Sequence, residues 1–149
     1  MFRKYNRRGF TLLEMLSIIA IVALLVSIAV PAVNQSSARA KAATDAANLR
    51  IVLGMLNTEV INGNSTVEEI IAAAEHPISK MDSDAVLCAV YDRPGFIDVY
   101  YVNGDKYYGL KYLSTMADKG PDVADSTVGT AKPTIPGTWY EAGAGEITD

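Results

Sequence analysis

From residue 10 to residue 33 the chain is almost continuously apolar, and a single carboxylate, Glu14, interrupts the run. No charged side chain occurs between Met15 and Ala38. At ~1.5 Å per helical residue such a stretch is long enough to cross ~30 Å of hydrocarbon. It is apolar all round, which suits lipid or the interior of a helix bundle rather than a water-facing surface. Pro31, Asn34 and Gln35 make its last third more polar. Proline removes a backbone donor and crowds the preceding turn, so a kink or local melting is predicted near residues 27–31.

The pattern then changes. Ala38, Ala42, Ala46, Leu49, Leu53, Leu56 and Val60 recur every three or four residues, as one face of a helix. Arg39, Lys41, Asp45, Asn48, Arg50 and Glu59 are assigned to the opposite face. Asn62-Gly63-Asn64 ends the helix, with Gly63 free to take a left-handed cap. A helix over residues 10–61 is about 78 Å long, so its distal half must pack on something other than lipid.

Ser65-Thr66-Val67-Glu68 reads as a capping box opening a short helix over 66–75, stopped by His76-Pro77. Segments 85–91, 96–102 and 107–113 are rich in Val, Ile, Phe and Tyr and read as strands. Turn sequences separate them: Asp92-Arg93-Pro94-Gly95 and Asn103-Gly104-Asp105-Lys106. The expected fold is α+β, a long N-terminal helix packed on a small three-stranded antiparallel meander. Residues 116–149 show little periodicity, although Thr138-Trp139-Tyr140 is expected to dock back as one short strand. The organisation read from these patterns is a leader at 1–9, a transmembrane helix at 10–33, its amphipathic continuation at 34–61, and a small head at 62–149.

Composition narrows the function classes. The 149 residues carry a formal net charge of −4. Residues 1–9 hold four of the 13 basic side chains and no acid, so the remainder has nine basic against 17 acidic residues, or −8. That balance argues against a nucleic-acid partner. Cys88 is the only cysteine, which excludes an intramolecular disulfide, and its mid-strand position predicts a small buried apolar residue. His76 is the only histidine and is expected in a surface loop. Asp118, Asp122, Asp125, Glu141 and Glu146 are candidate calcium ligands, but their spacing fits no known loop and a solvated acidic surface is expected. The tyrosines of the predicted sheet (Tyr91, Tyr100, Tyr101, Tyr107, Tyr108, Tyr112) are expected to pack the sheet rather than form an adhesive surface. No catalytic constellation, cofactor motif or phosphate loop is present in the sequence.

The N-terminus carries the chemistry. Arg3, Lys4, Arg7 and Arg8 precede the apolar run and predict a cytoplasmic N-terminus by the positive-inside rule. A charge at the centre of a membrane helix costs roughly 2.5–3.5 kcal/mol, so Glu14 requires a reason. Three simpler readings compete. Residues 3–30 with Ala38-Arg39-Ala40 could be a secretory signal with its cleavage site. The run could be an unprocessed signal anchor. Thr11-Leu12-Leu13-Glu14 is also a capping-box pattern, in which Glu14 satisfies free amides at a helix start.

The combination of a short basic peptide, Gly9, Phe10, and Glu14 as the fifth residue after Gly9 resembles the class III leader of the type IV pilin family. That family includes the pseudopilins of type II secretion and DNA uptake. The resemblance implies cleavage after Gly9 by a prepilin peptidase and methylation of the new Phe10 amine. It also implies that Glu14 pairs with a Phe10 ammonium, its own or a neighbour's, to set the register of an incoming subunit. Pro31 would mark where the helix bends. The implied partners are identical or related subunits, the prepilin peptidase, a membrane assembly platform, and the lipid bilayer before assembly. The implied location is the cytoplasmic membrane first and a surface filament afterwards. The chain is expected to be a substrate of an enzyme and not an enzyme itself. A pilus for adhesion, motility or aggregation leads. A pseudopilin of a secretion or DNA-uptake system is the alternative. From another class, a monomeric anchored binding domain is the second alternative.

Overall fold

The computed structural model describes residues 10–75 and 82–147. The chain divides into two units between Asn34 and Gln35. Helix α1, Leu12–Glu59, contributes to both. It is continuous through Pro31, so the local melting anticipated at residues 27–31 does not occur.

The C-terminus of α1 closes as its sequence demands. Gly63 takes φ 72°, its N–H donates to the Val60 carbonyl, and the Asn64 N–H donates to the Glu59 carbonyl. This is a Schellman arrangement, and it satisfies carbonyls that the helix end would otherwise leave open. Helix α2, Val67–Glu75, begins one residue later than its expected box. Thr66, not Ser65, is the cap. Its Oγ1 accepts from the Glu69 N–H at 3.2 Å, and Glu69 Oε2 accepts from the Thr66 N–H at 3.0 Å.

The second unit holds one antiparallel sheet of five strands, in the order β3-β2-β1-β4-β5. β1 is Val86–Arg93, β2 Phe96–Asn103, β3 Lys106–Gly109, β4 Thr138–Glu141 and β5 Gly145–Ile147. The expected meander supplies its first three strands. Trp139 and Tyr140 dock back in a short strand as anticipated; its place is beside β1, with Ala89 opposite Tyr140. β5 extends the sheet further and was not anticipated.

The third predicted strand is only half a strand. Residues 110–113 belong to helix α3, Leu110–Lys119, which leads into α4, Pro121–Thr127. The switch falls at Gly109. A Cβ there would sit 2.6 Å from Tyr100 Cε1, so the cross-strand ring occupies the place of a side chain. Beyond that point Tyr112, Leu113 and Met116 are buried at helical spacing. Tyr112 packs back on Tyr108, with ring centroids 5.6 Å apart.

The core lies between one face of α1 and one face of the sheet. Ala42, Ala46, Leu49, Val52 and Leu56 meet Leu87 and Ala89 of β1 and Val99 and Tyr101 of β2, with Ile71 of α2 and Leu113 of α3 closing the sides. The other sheet face buries Cys88 and Val90 beneath Tyr100 and Trp139, whose ring centroids lie 5.8 Å apart. Most of the tyrosines therefore pack the sheet, as expected, and the buried thiol is a core residue.

One assignment on α1 is corrected. Asp45, expected on the water-facing side, is fully buried at 0% exposure. It precedes Leu49 by one turn and so shares the core face. The face opposite the core is not the charged one either. Ala40, Ala43, Ala47, Ile51, Gly54 and Thr58 are exposed there, and the charged residues lie on the flanks. On one flank Arg39 Nη2 donates to the Lys119 carbonyl and Arg50 Nη2 donates to Ser114 Oγ, fastening α3.

Candidate functional site

The candidate site is the start of α1. Thr11 caps the helix: its Oγ1 accepts from the Glu14 N–H at 3.2 Å, and Glu14 Oε2 accepts from the Thr11 N–H at 3.4 Å. The capping box read from the sequence is therefore formed. It does not consume Glu14. A carboxylate has about four lone-pair sites, and among the described residues this one accepts a single long bond. It is turned toward the N-terminal end of the helix, one residue from the Phe10 nitrogen. A carboxylate in the first turn is also favoured by the helix dipole.

Among the described residues nothing is packed around it. Phe10 is 71% exposed, and every residue of 10–34 is exposed. Ser17 and Ser27 hide their hydroxyls by donating to the Leu13 and Leu24 carbonyls, which lowers the cost of placing them in hydrocarbon. By length and composition α1 is able to cross a membrane. The bare apolar surface thus begins at a polar, charge-bearing helix start.

The structure does not bring the other sequence candidates to this site. Gly9 and the basic residues Arg3, Lys4, Arg7 and Arg8 lie outside the described residues, as do His76 and Pro77. Of the acidic candidates for calcium, Asp125 accepts a hydrogen bond from the Tyr112 hydroxyl at 2.5 Å. Among the described residues, no group of three or more His, Cys, Asp or Glu side chains converges on a common point. Burial, then the Asp125 carboxylate, pushes the Tyr112 hydroxyl well above the ordinary tyrosine range. Burial and Asp98 do the same to Tyr100. Asp82 is held below the usual carboxylate range by the Asn103 side chain, which donates to it at 2.7 Å. The Asp82–Asn103 pair ties the loop before β1 to the end of β2, the Tyr112–Asp125 pair ties α4 to α3, and the Tyr100–Asp98 pair lies within β2.

Sequence reasoning missed the uncharged outer face of α1 around Ile51 and Met55. The signal was present: wound at 3.6 residues per turn, Ile51 falls nearly opposite Ala42 and Leu49, and Met55 falls on the flank beside it.

Comparison with known proteins bears on the N-terminus alone. No curated protein and no solved structure matches the chain. The prokaryotic N-terminal methylation motif matches residues 4–30, spanning Gly9, Phe10 and Glu14. The chain carries, in that segment, the class III leader signal of the type IV pilins and pseudopilins.

Proposed function

We propose that this chain is a prepilin and becomes a structural subunit of a type IV pilus-like filament. It inserts with its N-terminus in the cytoplasm and its head outside. Prepilin peptidase cuts after Gly9, where no side chain obstructs the scissile bond, and methylates the Phe10 amine. The assembly platform then lifts the subunit out of the bilayer, and the apolar segment exchanges lipid for the helices of neighbouring subunits.

The observation that carries this reading is the pairing of a wholly exposed apolar segment with one carboxylate at its start, inside a methylation motif. In a low-dielectric bundle a lone carboxylate is costly, whereas one paired with an ammonium can fix registry. Cleavage creates that ammonium one residue from the capped end. Pro31 supplies a point where the helix can bend as it packs.

The sequence leader is shared by pilins and pseudopilins, so the surface filament is the leading reading and the short secretion or uptake filament its alternative. Filament yield tests assembly directly. Glu14→Ala is expected to leave membrane insertion and head folding intact and to abolish filaments in sheared surface fractions. A wild-type yield from that variant would overturn the reading.

A further inference from the structure

We propose that the pocket between β3 and helices α3 and α4 is a binding site for a neutral saccharide, held by Lys106, Tyr108, Thr130 and Asp125. The site belongs to the head, so it stands or falls apart from filament assembly.

The pocket is an open hollow of about 400 Å³, lined by Lys106, Tyr108, Tyr112, Asp125, Gly129 and Thr130. That volume lies in the usual range of small-molecule sites, about 300–1,000 Å³. Its walls come from three parts of the chain, and each is tied down. Lys106 and Tyr108 stand two apart on β3 and so share one face of the strand. Tyr112 of α3 packs on Tyr108 with the two rings tilted by 52°. The Tyr112 hydroxyl donates to Asp125 Oδ1, which holds α4 against α3. The loop after α4 is fixed twice. The Gly129 N–H donates to the Ala124 carbonyl at 3.1 Å, and the Tyr107 N–H donates to the Thr130 carbonyl at 2.9 Å. A preformed wall spares a ligand the cost of ordering it.

Tyr108 is the informative residue. It is 7% exposed, and a tyrosine hydroxyl in such a place ordinarily has a partner. Tyr100 has Asp98, and Tyr112 has Asp125. Among the described residues the Tyr108 hydroxyl has no hydrogen-bond partner, yet it is not one of the enclosed polar atoms. The part of Tyr108 that stays open therefore faces the pocket it lines. Burial, then Asp82 and Asp125, hold this hydroxyl above the ordinary tyrosine range, so it keeps its proton and can donate. The side chains of Lys106 and Thr130 likewise make no hydrogen bond among the described residues, and Asp125 Oδ2 is unused.

The class of ligand follows from these groups. Lys106 and Asp125 carry opposite charges, so a purely anionic guest meets the carboxylate and a purely cationic one meets the ammonium. A small zwitterion satisfies both charges but leaves the Tyr108 and Thr130 hydroxyls and the ring walls without a counterpart. Hydroxyl groups both donate and accept. On a guest they donate to Asp125 Oδ2 and accept from Lys106, Tyr108 and Thr130. A saccharide ring presents neighbouring hydroxyls on its edge and C–H groups on its faces, and the C–H faces suit the tyrosine rings.

The test titrates the full chain, in a polyoxyethylene detergent that carries no sugar, with the methyl glycosides of glucose, galactose, mannose and N-acetylglucosamine. Glycine and inorganic phosphate serve as the zwitterionic and anionic probes. Binding is read by saturation-transfer NMR. At least one glycoside is expected to bind with Kd in the millimolar range, and glycine and phosphate are not. Tyr108→Phe removes a hydroxyl that has no partner in the head. It is expected to leave the melting temperature unchanged and to weaken glycoside binding about five- to tenfold. Lys106→Met, at an exposed position, is expected to weaken binding to a similar extent. Failure of all four glycosides, binding of glycine or phosphate in their place, or glycoside binding indifferent to both variants would overturn the inference. None of these outcomes bears on filament formation, and a chain that forms no filaments leaves the pocket's test unchanged.

Discussion

Within one helix, residues 12–33 bury nothing and residues 42–56 bury a complete face. The first stretch is a surface that awaits another solvent. The second is already in contact with its sheet. Leu24 is 64% exposed and Leu49 is 0% exposed, although both are leucines in the same α-helix. Burial in the head makes Leu49 a stability residue. Exposure in the N-terminal segment leaves Leu24 available for the anchoring and assembly proposed above. The two regions should therefore fail in different ways when altered.

The largest separation is expected from processing and packing variants. Gly9→Leu should block cleavage, leave the full-length chain in the membrane and abolish filaments, while the thermal unfolding of the detergent-solubilised head stays unchanged. Leu49→Ala should do the reverse. Truncating a fully buried leucine costs about 2–5 kcal/mol, so the unfolding midpoint in denaturant should fall markedly while cleavage at Gly9 proceeds. The matched change Leu24→Ala should leave that midpoint where it was. Equal destabilisation by the two leucine changes would break the contrast between the regions.

An intermediate effect is expected at high pH, and only in the head. Tyr100 and Tyr112 are both held above their ordinary values, by burial first and by Asp98 and Asp125 second. Unfolded tyrosine ionises near pH 10. The stabilisation is therefore complete below about pH 10 and declines as pH rises from there toward the folded values. Denaturant midpoints measured across that range should fall, and the fall should be shallower in a Tyr100→Phe, Tyr112→Phe double variant. Each substitution removes one hydrogen bond, at about 1 kcal/mol near neutral pH.

The smallest effects sharpen the account of helix ends and faces. Thr66→Ala removes the cap of α2 and should cost about 1 kcal/mol. Gly54→Ala fills space that the head leaves empty and should raise stability by about 0.5–1 kcal/mol. Both are readable as shifts in the unfolding midpoint.

The sequence made some of this legible and hid the rest for physical reasons. The apolar run, the Gly63 cap and the Pro94-Gly95 and Gly104-Asp105 turns are local, so residue type alone reveals them. Gly95 and Gly104 indeed take φ 87° and 56°. The end of β3 was hidden because it depends on a ring from another strand: Tyr100 covers Gly109, and the segment after it, Leu110–Lys119, coils into α3. β4 pairs with β1 across a long stretch of chain, which local propensity does not register. Asp45 was misplaced because its charge outweighed its spacing. One turn before Leu49, it belongs to the core face. At the candidate site, Phe10, Glu14 and the Thr11 cap were all legible, because the leader is a local pattern. The outer face of α1 was not, because two largely apolar faces on opposite sides of a helix blur the contrast that marks an amphipathic one.

The central claim is that trimming the leader exposes an ammonium at Phe10 for Glu14 to meet. Mass spectrometry of the mature protein's N-terminus tests it most directly. The account predicts a chain that begins at Phe10 with a methylated amine. A functional chain that still begins at Met1, or one that begins at Ala32 or beyond Ala40, would contradict it.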